Sequence, residues 1–251
     1  MPGAVTPSPV ASWEPTPDPE GRFSTGIRDL DRLLGGGFPR GSFSLFLVDP
    51  SVTTEDLHLL FTPTWLNFLY RSRGLLAVLP ARESPREFRQ SLLPVVSRRL
   101  FDSRVRVVEY VGEGDPAPYV VSLHQVPREA AIRKMVEAEK AVRGAVSKPF
   151  IEFTSLEVLE TLMGAETASK MYFHGVKRTR QVGNLGLAVG RPGLRCLEAC
   201  RSLMDLEFSL RRTELGLTIT GNRPMLPTHL VVPDLRRGFP HVALVPPPPA
   251  G

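Results

Sequence analysis

The sequence predicts an α/β domain with a mainly parallel central sheet flanked by helices and a C-terminal antiparallel hairpin. Three observations point there. From Phe43 to Leu203, short apolar runs bounded by turn residues alternate with stretches of helical apolar spacing. From Leu206 onward, period-two alternation replaces that spacing. At 251 residues and 42% hydrophobic, the chain can bury a sizeable core. Alternating strands and helices followed by strands alone is the signature of such a sheet.

Phe43–Val48 (FSLFLV) lies between Gly41 and Asp49-Pro50 and reads as a buried strand. Thr54–Tyr70 carries Leu57, Leu60, Phe61, Trp65, Phe68 and Leu69 at helical spacing, with a bend or restart expected at Pro63. Leu75–Leu79 is a second strand, and Ser84-Pro85 supplies the N-cap and first-turn proline of a helix through Leu92. Val105–Val111 is a third strand, with Val105, Val107 and Tyr110 turned inward. Pro127–Arg143 is a helix whose apolar stripe is Ala131, Met135, Ala138 and Val142. Phe150–Phe153 and Leu185–Val189 are the next strands, separated by helices over Leu156–Met163 and Ala165–Arg180 and followed by a short one over Leu194–Leu203. Leu206, Phe208 and Leu210 then alternate with polar residues, as do Leu215, Leu217 and Ile219 beyond a turn near Thr213-Glu214, which makes a hairpin. Thr228–Val232 adds a last strand.

Proline and charge are unevenly spread. Of 25 prolines, six fall in the first 20 residues and Pro246 to Pro249 form a terminal run. Residues 1–20 and 246–251 therefore read as solvated, polyproline-like tails around a domain of residues 21–245. The net charge of +5 is also sectored: Tyr172–Gly251 holds 11 Lys+Arg against 5 Asp+Glu, while residues 1–171 are nearly balanced. Arg178, Arg180, Arg211, Arg212 and Arg223 are candidates for a basic contact surface, and nucleic acid is a possible partner for it. No apolar run approaches the roughly 20 residues of a membrane span. The start lacks the basic-then-apolar layout of a signal peptide, so a cytoplasmic location is expected. Cys196 and Cys200, four apart, read as buried small hydrophobes rather than metal ligands. No Ser-His-Asp or Cys-His constellation is visible in the spacing.

In parallel sheets the ligand site lies beyond the carboxyl ends of the strands, which directs attention to the segments around Val48. Phe23-Ser-Thr-Gly-Ile-Arg-Asp-Leu-Asp-Arg-Leu-Leu-Gly-Gly-Gly-Phe-Pro-Arg-Gly41 resembles the opening of KaiC- and RadA-like members of the RecA ATPase superfamily, F-x-T-G-I-x-x-L-D-x-L-L-G-G-G-[IF]-P-x-G. Glu83-Ser84-Pro85 with Glu87-Phe88 resembles the E-S-P-x-E-L after their second strand, and Phe150-Ile-Glu-Phe-Thr-Ser-Leu156 resembles their fourth. The resemblance covers residues 22–232 and implies a RecA-like fold with nucleotide held between neighbouring protomers.

A working phosphate loop, G-x-x-G-x-G-K-[ST], needs glycines that let N–H groups turn inward, a lysine for the β/γ charge and a hydroxyl for magnesium. Here the loop reads Asp49-Pro50-Ser51-Val52-Thr53-Thr54-Glu55. Aligned on Asp-Pro, Ser51 and Thr53 replace two glycines, Thr54 the lysine and Glu55 the magnesium-binding hydroxyl residue. Thr53 is expected to resist a conformation that suits glycine, and Glu55 sets negative charge where phosphate would sit. Arg82-Glu83 stands where the resembled proteins carry a Glu-Glu pair, and Glu152 matches the strand acid that orders magnesium. Glu83 and Glu152 are thus remnant catalytic candidates. The reading is a pseudo-ATPase, with no cofactor or only weak ATP/Mg, acting as a regulatory or scaffold subunit in a homo-oligomer or with an active relative. An atypical ATP-binding protein or a recombinase-paralogue-like DNA-binding accessory are the alternatives.

Overall fold

The computed structural model describes residues 13–110, 117–146 and 149–248. A short β1 (Arg22–Phe23) and β2 (Phe38–Pro39) pair antiparallel around α1 (Arg28–Leu33). The alternating part follows: β3 (Phe43–Val48), α2 (Thr54–Tyr70), β4 (Gly74–Val78), α3 (Pro85–Leu92), α4 (Arg98–Arg104), β5 (Val105–Glu109) and β6 (Val120–Ser122). It continues through α5 (Arg128–Ala145), β7 (Phe150–Ser155), α6 (Leu156–Met163), α7 (Ala165–Val182), β8 (Leu185–Gly190) and α8 (Leu197–Arg201). The end is all strand: β9 (Leu206–Thr213), β10 (Gly216–Arg223), β11 (Met225–Pro233) and β12 (Val242–Val245).

Ten of these strands form one sheet in the order β12-β11-β10-β9-β3-β8-β7-β4-β5-β6. Pairing is parallel from β9 to β6 and antiparallel from β9 to β12. This is the expected α/β architecture. Val111 of the expected third strand lies outside the described residues.

The opening motif is held together by its own side chains. Asp31 accepts from the Thr25 amide at 2.7 Å and from the Ser24 hydroxyl at 2.5 Å. Thr64 and Asn67 of α2 in turn donate to the Thr25 and Ser24 carbonyls. Gly35, Gly36 and Gly37 all have positive φ, and a Cβ on Gly37 would lie 2.2 Å from the Phe23 carbonyl oxygen. The triple glycine is therefore a tight turn that lets β2 return beside β1.

Helix α2 runs unbroken through Pro63. The proline costs about 3 kcal/mol in a helix interior. Leu60, Phe61, Trp65 and Leu66 around it are each at most 2% exposed, and burying such side chains stabilises by about 1.5–3 kcal/mol apiece. Packing wins, so the helix does not restart at Pro63. Phe46, Phe61, Trp65, Phe153 and Phe208 join α2 to the sheet.

The N-terminal boundary differs from the tail expected over residues 1–20. Trp13 is 5% exposed and stacks on His241, with ring centroids 5.0 Å apart. The Asp18 carboxylate meets Arg40, Arg71 and Arg73. Proline spacing concealed these two anchors, which dock residues 13–20 onto the domain; residues 1–12 lie outside the described part. Pro246–Pro248 are exposed.

Candidate functional site around the loop after β3

The loop at the carboxyl end of β3 satisfies its own donors. The Asp49 carboxylate accepts from the Ser51 amide at 3.0 Å and the Ser51 hydroxyl at 2.6 Å, which holds its carboxyl below the usual carboxylate range. The Val52 amide donates to the Asp49 carbonyl. Thr53 and Asp56 form a reciprocal capping box, Thr53 N–H to Asp56 Oδ2 at 3.0 Å and Asp56 N–H to Thr53 Oγ1 at 3.3 Å. Glu55 accepts from its own amide and from the Thr53 hydroxyl, which lowers its pKa. Side-chain oxygens thus occupy amides that a phosphate would need.

The path of the loop also differs from a phosphate cradle. Thr53 sits at φ −94° and ψ 171°, ordinary extended backbone. The strain expected at Thr53 is relieved because the loop takes a different route. Across it, the Arg212 guanidinium pairs with Asp56, the Arg212 amide donates to Ser51 Oγ at 3.2 Å, and Arg211 lies 4.0 Å from Asp49. The carboxylates of the loop therefore already hold the arginines that reach it.

Beside the loop is a cavity of about 540 Å³ lined by Thr54, Glu55, His58, Arg82, Glu83 and Phe239, among others. Glu83 points into this region and bonds His58 Nε2, while Ser91 Oγ lies 3.0 Å from His58 Nδ1. Nothing in the spacing of His58, Glu83 and Ser91 announces this chain, because a histidine on α2 meets a loop and a helix 25 and 33 residues on. The serine also donates to the Phe88 carbonyl at 2.8 Å, and the carboxylate and hydroxyl occupy opposite ring nitrogens from those in a hydrolase triad. The arrangement ties α2 to α3.

Glu152 lies elsewhere. It pairs in register with Gly186, which pairs with Phe43 at the entry to β3. The loop begins beyond Val48, about 16 Å further along at ~3.3 Å per residue. The magnesium-ordering position expected for Glu152 is therefore at the wrong end of the strand. Ser155 is the β7 residue nearest the loop's level, and its hydroxyl caps α6 by accepting from the Val158 amide. Glu152 Oε1 instead accepts from Thr179 Oγ1 at 3.0 Å and Asn184 Nδ2 at 3.1 Å, and desolvation pushes its pKa up to about 7.

The five arginines offered as a basic surface are each engaged within the chain. Arg178 bonds Glu139, Arg180 bonds Asp205 and the Leu203 carbonyl, and Arg223 donates to the Met204 carbonyl. Arg211 and Arg212 stand at the loop end of β3, whereas Arg180 packs by Gly41 at the opposite end. They form no continuous strip. Cys196 and Cys200 are both free and buried, as their spacing suggested. Among the described residues, no three His, Cys, Asp or Glu side chains are placed to hold a metal ion, and no helix is long and apolar enough to cross a membrane.

A mainly parallel sheet entered through the F-x-T-G motif, with a loop and helix at the end of its first core strand, is a KaiC-like RecA fold. A solved KaiC-like protein from Pyrococcus horikoshii OT3 has the same fold, with a TM-score of 0.62, 13% identity, and coverage of 91% of this chain and 100% of that one. The chain belongs to the family described as GvpD basic region 2, whose profile matches residues 12–244. It is similar to Protein GvpD1 of Halobacterium salinarum, 38% identical over 107 residues, 42% of this chain and 20% of that protein. It is also similar to Protein GvpD2 of the same organism, 25% identical over 248 residues, 93% of this chain and 49% of that protein. The chain thus spans about half or less of the length of these relatives.

Proposed function

We propose that this chain is a non-hydrolysing RecA-like domain with a degenerate phosphate loop, acting as a regulatory or scaffold component through protein–protein assembly. Kinship with GvpD proteins supports a setting in gas-vesicle regulation. The observation that carries the reading is the self-satisfied loop: Asp49, Glu55 and Asp56 occupy its amides, and Thr54 stands where a lysine would be. At a few Å and an effective dielectric near 20, each unit of misplaced charge costs a tetra-anion about 4 kcal/mol. Loss of the lysine and gain of Glu55 act in the same direction. In this reading the protein holds Mg-ATP weakly or not at all, and the face that a relative would use for nucleotide serves contacts with a second copy or an active relative.

Purified protein is expected to show no ATP hydrolysis above background and no saturable Mg-ATP binding by calorimetry at micromolar concentration. The combined variant Ser51→Gly, Thr53→Gly, Thr54→Lys, Glu55→Thr should restore affinity by at least about a hundredfold, as two charge changes of this size allow. Hydrolysis by the natural chain that disappears with Glu83→Gln would overturn the reading. So would a strictly monomeric protein that fails to associate with any full-length GvpD relative.

A further inference from the structure

We infer that the cavity between α5 and α7 is a binding site for a small, mainly apolar molecule carrying one protonated amine, with Glu152 as its anchor. The cavity measures about 310 Å³, at the small end of ligand pockets, and sits over β3, β4 and β7, well away from the phosphate-loop region. Its walls are largely apolar: Phe43, Leu76, Met135 and Leu159 contribute, as does Gly175 of α7. Of the two carboxyls in this lining, Glu139 is paired with arginines, whereas Glu152 has no ion-pair partner among the described residues.

The charge arrangement selects the ligand. Glu139, on the α5 side, takes both Arg178 and Arg143 at 2.6 Å, so those guanidinium groups are committed to it. The described hydrogen bonds to Glu152 both land on Oε1, from Thr179 and Asn184. Oε2 is left as the oxygen for an incoming donor. A carboxylate in apolar surroundings is costly unless a charge compensates it, and an ammonium on Oε2 supplies that compensation. Tyr172, His174 and Arg178 face this region from α7 and Glu139 from α5. Of these, Tyr172 sends its hydroxyl to Met204 and Arg178 is already paired, so neither competes for Oε2.

Gly175 offers a handle. A Cβ there would meet nothing within 4 Å, so the space beside it is open, and a larger residue fits the helix while filling the cavity. The test titrates 2-phenylethylamine and its neutral counterpart 2-phenylethanol into the full chain, followed by NMR and calorimetry at about pH 8. The amine should bind at least about tenfold more tightly than the alcohol, the discrimination expected of a hydrogen bond to a charged group. Glu152→Gln should lose that advantage, Gly175→Leu should abolish binding of both, and Lys170→Ala on the outer face of α7 should change nothing. Affinity for the amine should rise from about pH 6 to 8 as Glu152 ionises. Equal binding of alcohol and amine would overturn the proposal. So would amine affinity unchanged in a natively folded Glu152→Gln, or no saturable binding up to millimolar amine.

Discussion

Asp18→Ala is expected to lower the stability of the folded chain by about 3–5 kcal/mol, the usual cost of removing one partner from a buried ion pair. The Asp18 side chain is 4% exposed and faces three guanidinium groups: Arg73, Arg71 at 3.5 Å and Arg40 at 3.8 Å. It also accepts from the Ser24 amide at 3.0 Å, tying the N-terminal segment to the F-x-T-G motif. Arg73 decides the size of the effect. Its side chain is only 7% exposed, it lies over the Phe23 and Phe68 rings at 4.8 and 4.9 Å, and its Nη1 has no hydrogen-bond partner among the described residues. Without Asp18 this cation keeps only ring contacts worth about 2 kcal/mol or less, in a place that water cannot reach. For a domain of this size the loss corresponds to a fall in Tm of roughly 10 °C. Asp18→Asn should fall between, since it retains an acceptor but no charge. Urea titrations of the three proteins read the result, and losses below about 1 kcal/mol for both variants would show that residues 13–20 are not docked.

That anchor marks a limit of what the amino-acid pattern reveals. A proline every two or three residues predicts a segment outside helix and sheet, and residues 13–20 form neither. Whether such a segment docks depends on single side chains, Trp13 and Asp18, that find His241 and Arg73 far along the chain. Periodicity served well where burial is continuous: the bounds of β3 and α2 follow from apolar runs between Gly41, Asp49-Pro50 and Tyr70. It missed α4, whose sequence RRLFDSR buries only Phe101, and the short edge strands β6 and β12, whose pairing comes from neighbours. The candidate site was legible in part. That Asp49–Glu55 contains neither glycine nor lysine is visible in the letters. The use of Asp49 and Asp56 to occupy the loop's amides is visible only in three dimensions. Glu152 went to the wrong end because a motif match does not fix register, whereas pairing with Gly186 does.

The misplaced acid carries the other large effect. Glu152→Gln is expected to remove a pH-dependent step in stability worth about 3 kcal/mol, the free-energy equivalent of a carboxyl pushed up from 4.5 to about 7. The sign follows from where the proton resides. Between about pH 4.5 and 7 the folded chain keeps a proton on Glu152 that the unfolded chain has released, so stability falls as pH rises through that window and levels off above it. Burial is the first cause of the raised value, with the nearby Glu139 charge adding to it, while Asn184, Thr179 and Arg178 pull the other way. Glutamine keeps an acceptor for Thr179 and Asn184 but never ionises. The variant should therefore match the parent near pH 4.5 and exceed it at pH 8, provided its amide nitrogen finds room toward the cavity. Other groups titrate in the same range; His241, whose pKa burial lowers, favours the folded state as pH rises and partly masks the slope in the parent. The quantity to measure is the difference between the two proteins in urea titrations from pH 4.5 to 8, in which such common contributions cancel. A flat difference would mean that Glu152 remains ionised in the fold, and that the donors on Oε1 outweigh the burial of its charge.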